Sequence, residues 1–96
     1  MPYEMKTTFW QDFTIADAFG LNAVTDTCTR AFREWHDDVV YVTELALVLN
    51  WKCWEHYEKG NDALGMLYRD LYYEVRGWCL DNLEGADLEY YFKTTD

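Results

Sequence analysis

Apolar residues recur along this chain with the period of an α-helix rather than that of a β-strand. The first clear case is the segment 22–37, whose apolar positions are spaced i, i+4, i+8 and i+11: Val24, Cys28, Phe32 and Trp35. Charged side chains fall mainly on the opposite side. The pattern predicts an amphipathic helix over about 22–37, with Asn22 as its N-cap.

The next segment, about 38–58, is apolar nearly all round in its middle, LALVLNW. That composition is typical of a central helix that packs on more than one side. Asp37 or Asp38 is suited to cap its start, and Gly60 to end it. The β-branched residues 39–43, VVYVT, also suit a strand, but the apolar pattern runs on far beyond strand length and favours a helix.

A third long helix is predicted over about 61–83, and its apolar stripe comprises Leu64, Leu67, Tyr68, Leu71, Val75, Trp78 and Cys79. Short helices are predicted at both ends, one from Thr14 as N-cap to Gly20, the other in ADLEYYF after Gly85. The fold class expected is therefore all-α: a compact bundle of three main helices within a single domain, residues 1–96. Short connections favour antiparallel neighbours.

Composition excludes some classes of binding partner but does not identify a function. The chain has 96 residues, is half hydrophobic and carries a formal net charge of −10. A protein this acidic is repelled by nucleic acid and by anionic lipid, and is attracted to basic protein surfaces. No apolar run approaches the roughly 18 residues of a membrane span, and the N-terminus lacks the basic start of a signal peptide. A cytoplasmic location is expected.

Cysteine and histidine give no sign of catalysis. Cys28, Cys53 and Cys79 are odd in number, widely spaced and free of CxxC pairing, so we expect buried free thiols rather than a metal site. His36 and His56 stand beside acids but lie on different predicted helices, outside any HExxH motif, and are interpreted as solvated or capping residues. We expect no enzyme activity, cofactor or bound metal.

Aromatic residues are unusually frequent for a small core, with five tryptophans, eight tyrosines and five phenylalanines. Phe32, Trp35, Trp54 and Trp78 are expected to fill its centre. The adjacent pairs Tyr72–Tyr73 and Tyr90–Tyr91 point about 100° apart on a helix, so at least one ring of each pair should reach the surface. Surface tyrosine is favoured at protein interfaces, although aromatics can also simply fill a small bundle.

Acidic residues concentrate in two parts of the chain. The predicted partner-binding residues are Glu34, Asp37, Asp38 and Glu44 in one cluster, and Asp81, Glu84, Asp87, Glu89, Tyr90 and Tyr91 near the end. Such clusters often serve only as a solvated face. Mixed with tyrosines, however, they can imitate nucleic acid, because carboxylates replace phosphates and rings offer stacking faces to a basic groove.

Several long phrases of the chain, TTFWQDFTIADAFG, TRAFREW, YVTELALVLNWKCWEHYE and LEYYFKTTD, resemble a family of short acidic proteins. These are carried by integrative elements and prophages of Gram-positive gut bacteria. The resemblance covers Thr7 to Asp96 and implies a setting rather than an activity, since small acidic proteins on mobile DNA often inhibit host defence nucleases.

Two functional hypotheses follow. The first is an acidic, nucleic-acid-mimicking inhibitor of a host defence nuclease, of the anti-CRISPR or anti-restriction type, whose partner is a basic nucleic-acid-binding groove. The alternative is a homo-oligomeric structural or accessory protein, with an aromatic self-interface and no inhibitory activity.

Overall fold

Five helices make up the fold in a computed structural model that describes residues 7–95, with side chains from residue 9 onwards. In chain order they are α1 (Thr7–Phe19), α2 (Leu21–Trp35), α3 (Val39–Glu58), α4 (Asp62–Asn82) and α5 (Gly85–Thr95). The described part of the chain contains no strand, which confirms the all-α class. The three long helices lie close to their predicted bounds, and residues 39–43 are helical.

Short, well-defined breaks separate the helices. Gly20 alone connects α1 to α2, and its φ of +106° is a conformation that side-chain-bearing residues rarely adopt. Asp38 caps α3, as predicted, because its Oδ1 accepts from the backbone N–H of Val40 at 3.0 Å and of Tyr41 at 3.4 Å. These breaks follow from local sequence, which is why the boundaries near them were predictable.

Two local predictions at the N-terminal end are wrong. Helix α1 begins seven residues before Thr14, which lies inside it and donates its hydroxyl to the carbonyl of Trp10 at 2.8 Å. Helix α2 begins at Leu21, so Asn22 is a first-turn residue and not the N-cap. Capping residue types also occur inside helices, where their side chains bond back to the preceding turn, and spacing alone does not separate the two cases.

Helix α3 is the centre of the bundle and packs against all four other helices. Every residue from Val42 to Leu49 is buried, including several that face opposite sides of the helix. This confirms the central helix inferred from the apolar run. Helix α4 forms the most extensive packing with α3, and Gly65 lies directly against the ring of Tyr57 at their crossing.

Aromatic residues do line the core, but not all of those predicted. Phe32, Trp35 and Trp78 are partly buried against it, whereas Trp54 is 59% exposed, so its predicted place in the centre is wrong. Its neighbours Cys53 and Lys52 take the inward directions on α3. Among the described residues, no helix is long and apolar enough to cross a membrane.

Candidate functional site

Parts of the two predicted acidic clusters lie on segments that reach the same end of the bundle. Helix α2 ends there, α3 begins and α4 ends, and the ring of His36 lies 5.6 Å from that of Trp78 across the α2–α4 contact. Five carboxylates belong to the chain segments at this end, which we call the acidic end: Glu34 in the last turn of α2, Asp37 and Asp38 just before α3, Asp81 in the last turn of α4 and Glu84 just after it. All five side chains belong to exposed residues.

Of the remaining predicted partner-binding residues, two are not on the surface. Glu44 is 3% exposed, on the buried stretch of α3, and Tyr91 is 0% exposed, because it is the residue by which α5 docks onto the bundle. We therefore remove both from the predicted surface. Burial raises the pKa of the Tyr91 hydroxyl to about 12, which is consistent with a core role.

On α5 itself, Asp87 and Glu89 are exposed and Tyr90 is partly exposed. Glu89 pairs with Lys93 at 2.9 Å, one turn further along the helix, so its charge is partly compensated. Asp87, in the first turn of α5, follows Glu84 of the acidic end by three residues in the chain.

A partly buried polar cluster, which was not predicted from the sequence, joins three helices. We call it the polar cluster; its members are Thr14 and Asp17 of α1, Lys52, Glu55 and His56 of α3, and Tyr68 of α4. Lys52 is 2% exposed, and its Nζ donates to Thr14 Oγ1 at 2.9 Å, Asp17 Oδ2 at 3.1 Å and Glu55 Oε2 at 3.1 Å. A lysine has three donors, so its ammonium is fully satisfied.

Asp17 is the common acceptor of this cluster. Besides Lys52, it accepts from His56 Nε2 at 2.9 Å and from the hydroxyl of Tyr68 at 2.5 Å. The amide of Asn61 lies 3.4 Å from His56 Nδ1, an arrangement that matches the tautomer with its proton on Nε2. Burial, together with the hydrogen bond to Asp17, raises the pKa of Tyr68 well above its usual range.

The polar cluster fits a structural role better than a chemical one. Asp17, Glu55 and His56 bring one donor atom each within 4.8 Å of one another, a set that could hold a metal ion. The ammonium of Lys52 already lies between the two carboxylates, and the indole ring of Trp10 covers it at 4.4 Å. A second cation would have to displace Lys52, so the cluster carries no argument for a metal or for catalysis.

One signal in the sequence could have revealed this cluster. Lys52 is the sole lysine of α3 and stands among apolar neighbours, with an acid and a histidine at i+3 and i+4. A charge at such a position requires a buried partner. Which acid supplies it, however, depends on how α1 lies on α3, and Asp17 is 35 residues away in sequence.

The predictions for the cysteines and for His36 are confirmed, and the prediction for His56 is wrong. All three cysteines are free and buried, as predicted, and burial raises the pKa of Cys28 to about 12 and that of Cys79 to about 11. His36 is a capping residue as predicted, with Nδ1 3.1 Å from the carbonyl of Phe32 near the end of α2. His56 is neither solvated nor capping, since it is 4% exposed and bonded to Asp17.

The exposed face of α4 carries an apolar stripe. Met66, Tyr73 and Leu80 are 49%, 60% and 41% exposed, and a spacing of seven residues places them in one row, which we call the α4 stripe.

No family model, no curated protein and no solved structure matches the chain.

Proposed function

We propose that the chain is an interaction protein of a mobile element that uses the acidic end to occupy a basic, nucleic-acid-binding surface of a host defence nuclease. An inhibitor of the anti-CRISPR or anti-restriction type is the concrete form. The supporting observation is that Glu34, Asp37 and Asp38 share one end of the bundle with Asp81 and Glu84, some 45 residues later in the sequence. Carboxylates gathered at one end of a small domain offer the negative charge that a groove built for phosphates would bind.

The helix termini modify this surface only slightly. The carboxyl ends of α2 and α4 lie at the acidic end and add partial negative charge, whereas the amino end of α3 adds positive charge that Asp38 already caps. With a net charge of −10, the whole molecule is attracted to a basic partner over the screening distance of about 10 Å at 0.1 M salt. Binding should therefore be fast at low salt and weaken steeply as salt is added.

The test is capture from a lysate of a Gram-positive host, with bound proteins identified by mass. We expect a Cas effector or restriction nuclease that is released by high salt and displaced by DNA or guide RNA. The variant Asp37→Asn, Asp81→Asn, Glu84→Gln should lose the capture. A matched variant with the same charge change away from the acidic end, Glu58→Gln, Asp62→Asn, Asp70→Asn, should retain it.

If both triple variants lose capture equally, net charge and not the acidic end governs binding. If neither loses it, the partner contacts another surface. Inhibition of the captured nuclease in a DNA-cleavage assay, with the same two variants, then separates binding from inhibition.

A second candidate, self-association, is favoured by the α4 stripe. Three exposed large side chains in one row are typical of helix pairing, and an antiparallel second copy centred on Tyr73 would place Met66 against Leu80. Two chains that each carry −10 repel one another, so added salt should strengthen this association. Salt dependence of opposite sign therefore distinguishes the two candidates in sedimentation experiments, and Tyr73→Ser should abolish only self-association.

A further inference from the structure

The exposed groove between α1 and α2 is the strongest unassigned feature of the molecule. Helices α1 and α3 run in the same direction, since Phe9 contacts Tyr41 near their starts and Asp17 contacts His56 near their ends. Helix α2 turns back at Gly20 and returns towards the acidic end. The groove between α1 and α2 therefore leads from the Gly20 turn to the acidic end.

The groove has an apolar wall and sufficient room for side chains of a partner. Ile15 and Phe19 of α1 are 61% and 79% exposed, one turn apart, and Ala23 and Thr27 form the facing wall on α2. The groove is partly open to solvent and has a volume of about 600 Å³, within the roughly 300–1,000 Å³ of protein binding pockets. Exposed large apolar side chains beside such a cleft are typical of an interaction surface.

Charge around the groove indicates what binds there. Three carboxylates line it, Asp12 from α1 and Asp26 and Glu34 from α2, against the single base Arg30. Asp26 and Glu34 are spaced by eight residues on α2, so the acids follow the length of the groove. An occupant must present apolar side chains to the cleft and basic side chains to its rim, which is the pattern of an amphipathic basic helix.

We propose that the α1–α2 groove binds a basic amphipathic helix of a partner protein, with apolar side chains held between Phe19 and Thr27 and its lysines or arginines paired with Asp12, Asp26 and Glu34. This proposal rests on the proposed function, because Glu34 belongs to both the groove and the acidic end. It adds that the apolar side chains of the same partner bind in the groove. Apolar burial supplies the slow dissociation that exposed ion pairs alone do not.

The test uses a synthetic helix-forming peptide of leucine and lysine, with all leucines on one face, titrated into the full chain by calorimetry. We expect binding that weakens with salt, and methyl shifts in NMR spectra at Ala23 and Thr27. A peptide of the same composition in scrambled order should bind at least tenfold more weakly, as should one with glutamate in place of lysine. Equal binding of the scrambled peptide would overturn the proposal, because it would show charge attraction only.

Matched variants locate the site. Ile15→Ser with Phe19→Ser should weaken binding at least tenfold, as should Thr27→Phe, which fills the groove without removing a core residue. The control Trp54→Ser with Phe92→Ser removes exposed apolar surface from α3 and α5, outside the groove and the α4 stripe, and should change affinity less than twofold. Circular dichroism confirms that each variant is folded. Unchanged binding in both groove variants would overturn the proposal.

Failure of this inference and failure of the proposed function give different results. The acidic-end variant Asp37→Asn, Asp81→Asn, Glu84→Gln keeps all the residues that line the groove. If this variant loses nuclease capture while the groove variants keep both capture and peptide binding, the proposed role of the acidic end is supported and the groove proposal is overturned. If the groove variants lose peptide binding while the acidic-end variant keeps capture, the groove proposal is supported and the proposed role of the acidic end is overturned.

Discussion

Replacing Asp17 by leucine tests whether the polar cluster holds α1 onto the bundle. Asp17 accepts hydrogen bonds from Lys52, His56 and Tyr68, which belong to two other helices, and is itself only 15% exposed. Leucine fills similar space but accepts nothing. The change therefore removes one acceptor from a lysine that is 2% exposed and leaves His56 Nε2 without its acceptor. The Tyr68 hydroxyl keeps only the carbonyl of Phe13, at 3.4 Å.

The expected loss of unfolding free energy is about 4 kcal/mol. Removing one partner of a buried ion pair costs about 3–5 kcal/mol, and the lower end applies because Lys52 keeps Thr14 and Glu55. The orphaned donor of His56 adds about 1 kcal/mol, the low end for an unsatisfied buried group, whereas the Tyr68 hydroxyl can still donate to the carbonyl of Phe13. For a domain of this size, 4 kcal/mol corresponds to a drop in Tm of roughly 15–30 °C.

The assay is urea unfolding followed by circular dichroism, with Asp12→Leu, an exposed carboxylate on the same helix, as the control expected within about 0.5 kcal/mol of the parent. Combining Asp17→Leu with Lys52→Met removes the buried charge together with its partner. The double variant should therefore lose at least about 1 kcal/mol less than the sum of the single changes. A loss below about 1.5 kcal/mol for Asp17→Leu, or strict additivity, would refute the reasoning.

Three further predictions concern stability. Gly65→Ala should destabilise by about 1 kcal/mol in thermal melts, because its new Cβ would lie 2.8 Å from ring atoms of Tyr57, whereas Gly77→Ala meets nothing within 4 Å and should stabilise by about 1 kcal/mol. Asp38→Ala should cost about 1 kcal/mol in urea unfolding, because two N–H groups of α3 lose their cap. Burial raises the pKa of the Cys28 thiol from 9.0 to about 12. The buried neutral thiol therefore makes its full contribution to the unfolding free energy below pH 9, and that contribution is lost as the pH rises towards 12. Urea midpoints should fall over that pH window, and should fall less in Cys28→Ala.

Each of these three has an outcome that would contradict it. Equal effects of alanine at the two glycines would mean that the close approach at Gly65 relaxes without cost. An Asp38→Ala midpoint equal to the parent's would mean that water replaces the cap. An alkaline transition of the same size with and without Cys28 would assign it to other groups.

The acidic end shows which part of the candidate site the sequence could predict. Glu34, Asp37, Asp38, Asp81 and Glu84 were identifiable as acids in clusters, because charge is a local property. That these acids come to the same end of the bundle was not predictable, since it depends on the α2–α4 contact at Trp78. Glu44 looked the same in sequence and is buried, because it lies in the stretch of α3 from Val42 to Leu49, where every residue is buried.

Local patterns determined the helices: the 3.6-residue period, the glycine breaks and the cap at Asp38 depend on residues within a turn or two of each other. Tertiary structure alone decided which charges are paired. Lys52 has two partners on α1, 35 and 38 residues away, and the α1–α2 groove exists because Gly20 turns one helix back along another. The physical reason is that burial and pairing are set by the relative placement of helices, which depends on the packing of the whole core and is not encoded in any single stretch of the chain.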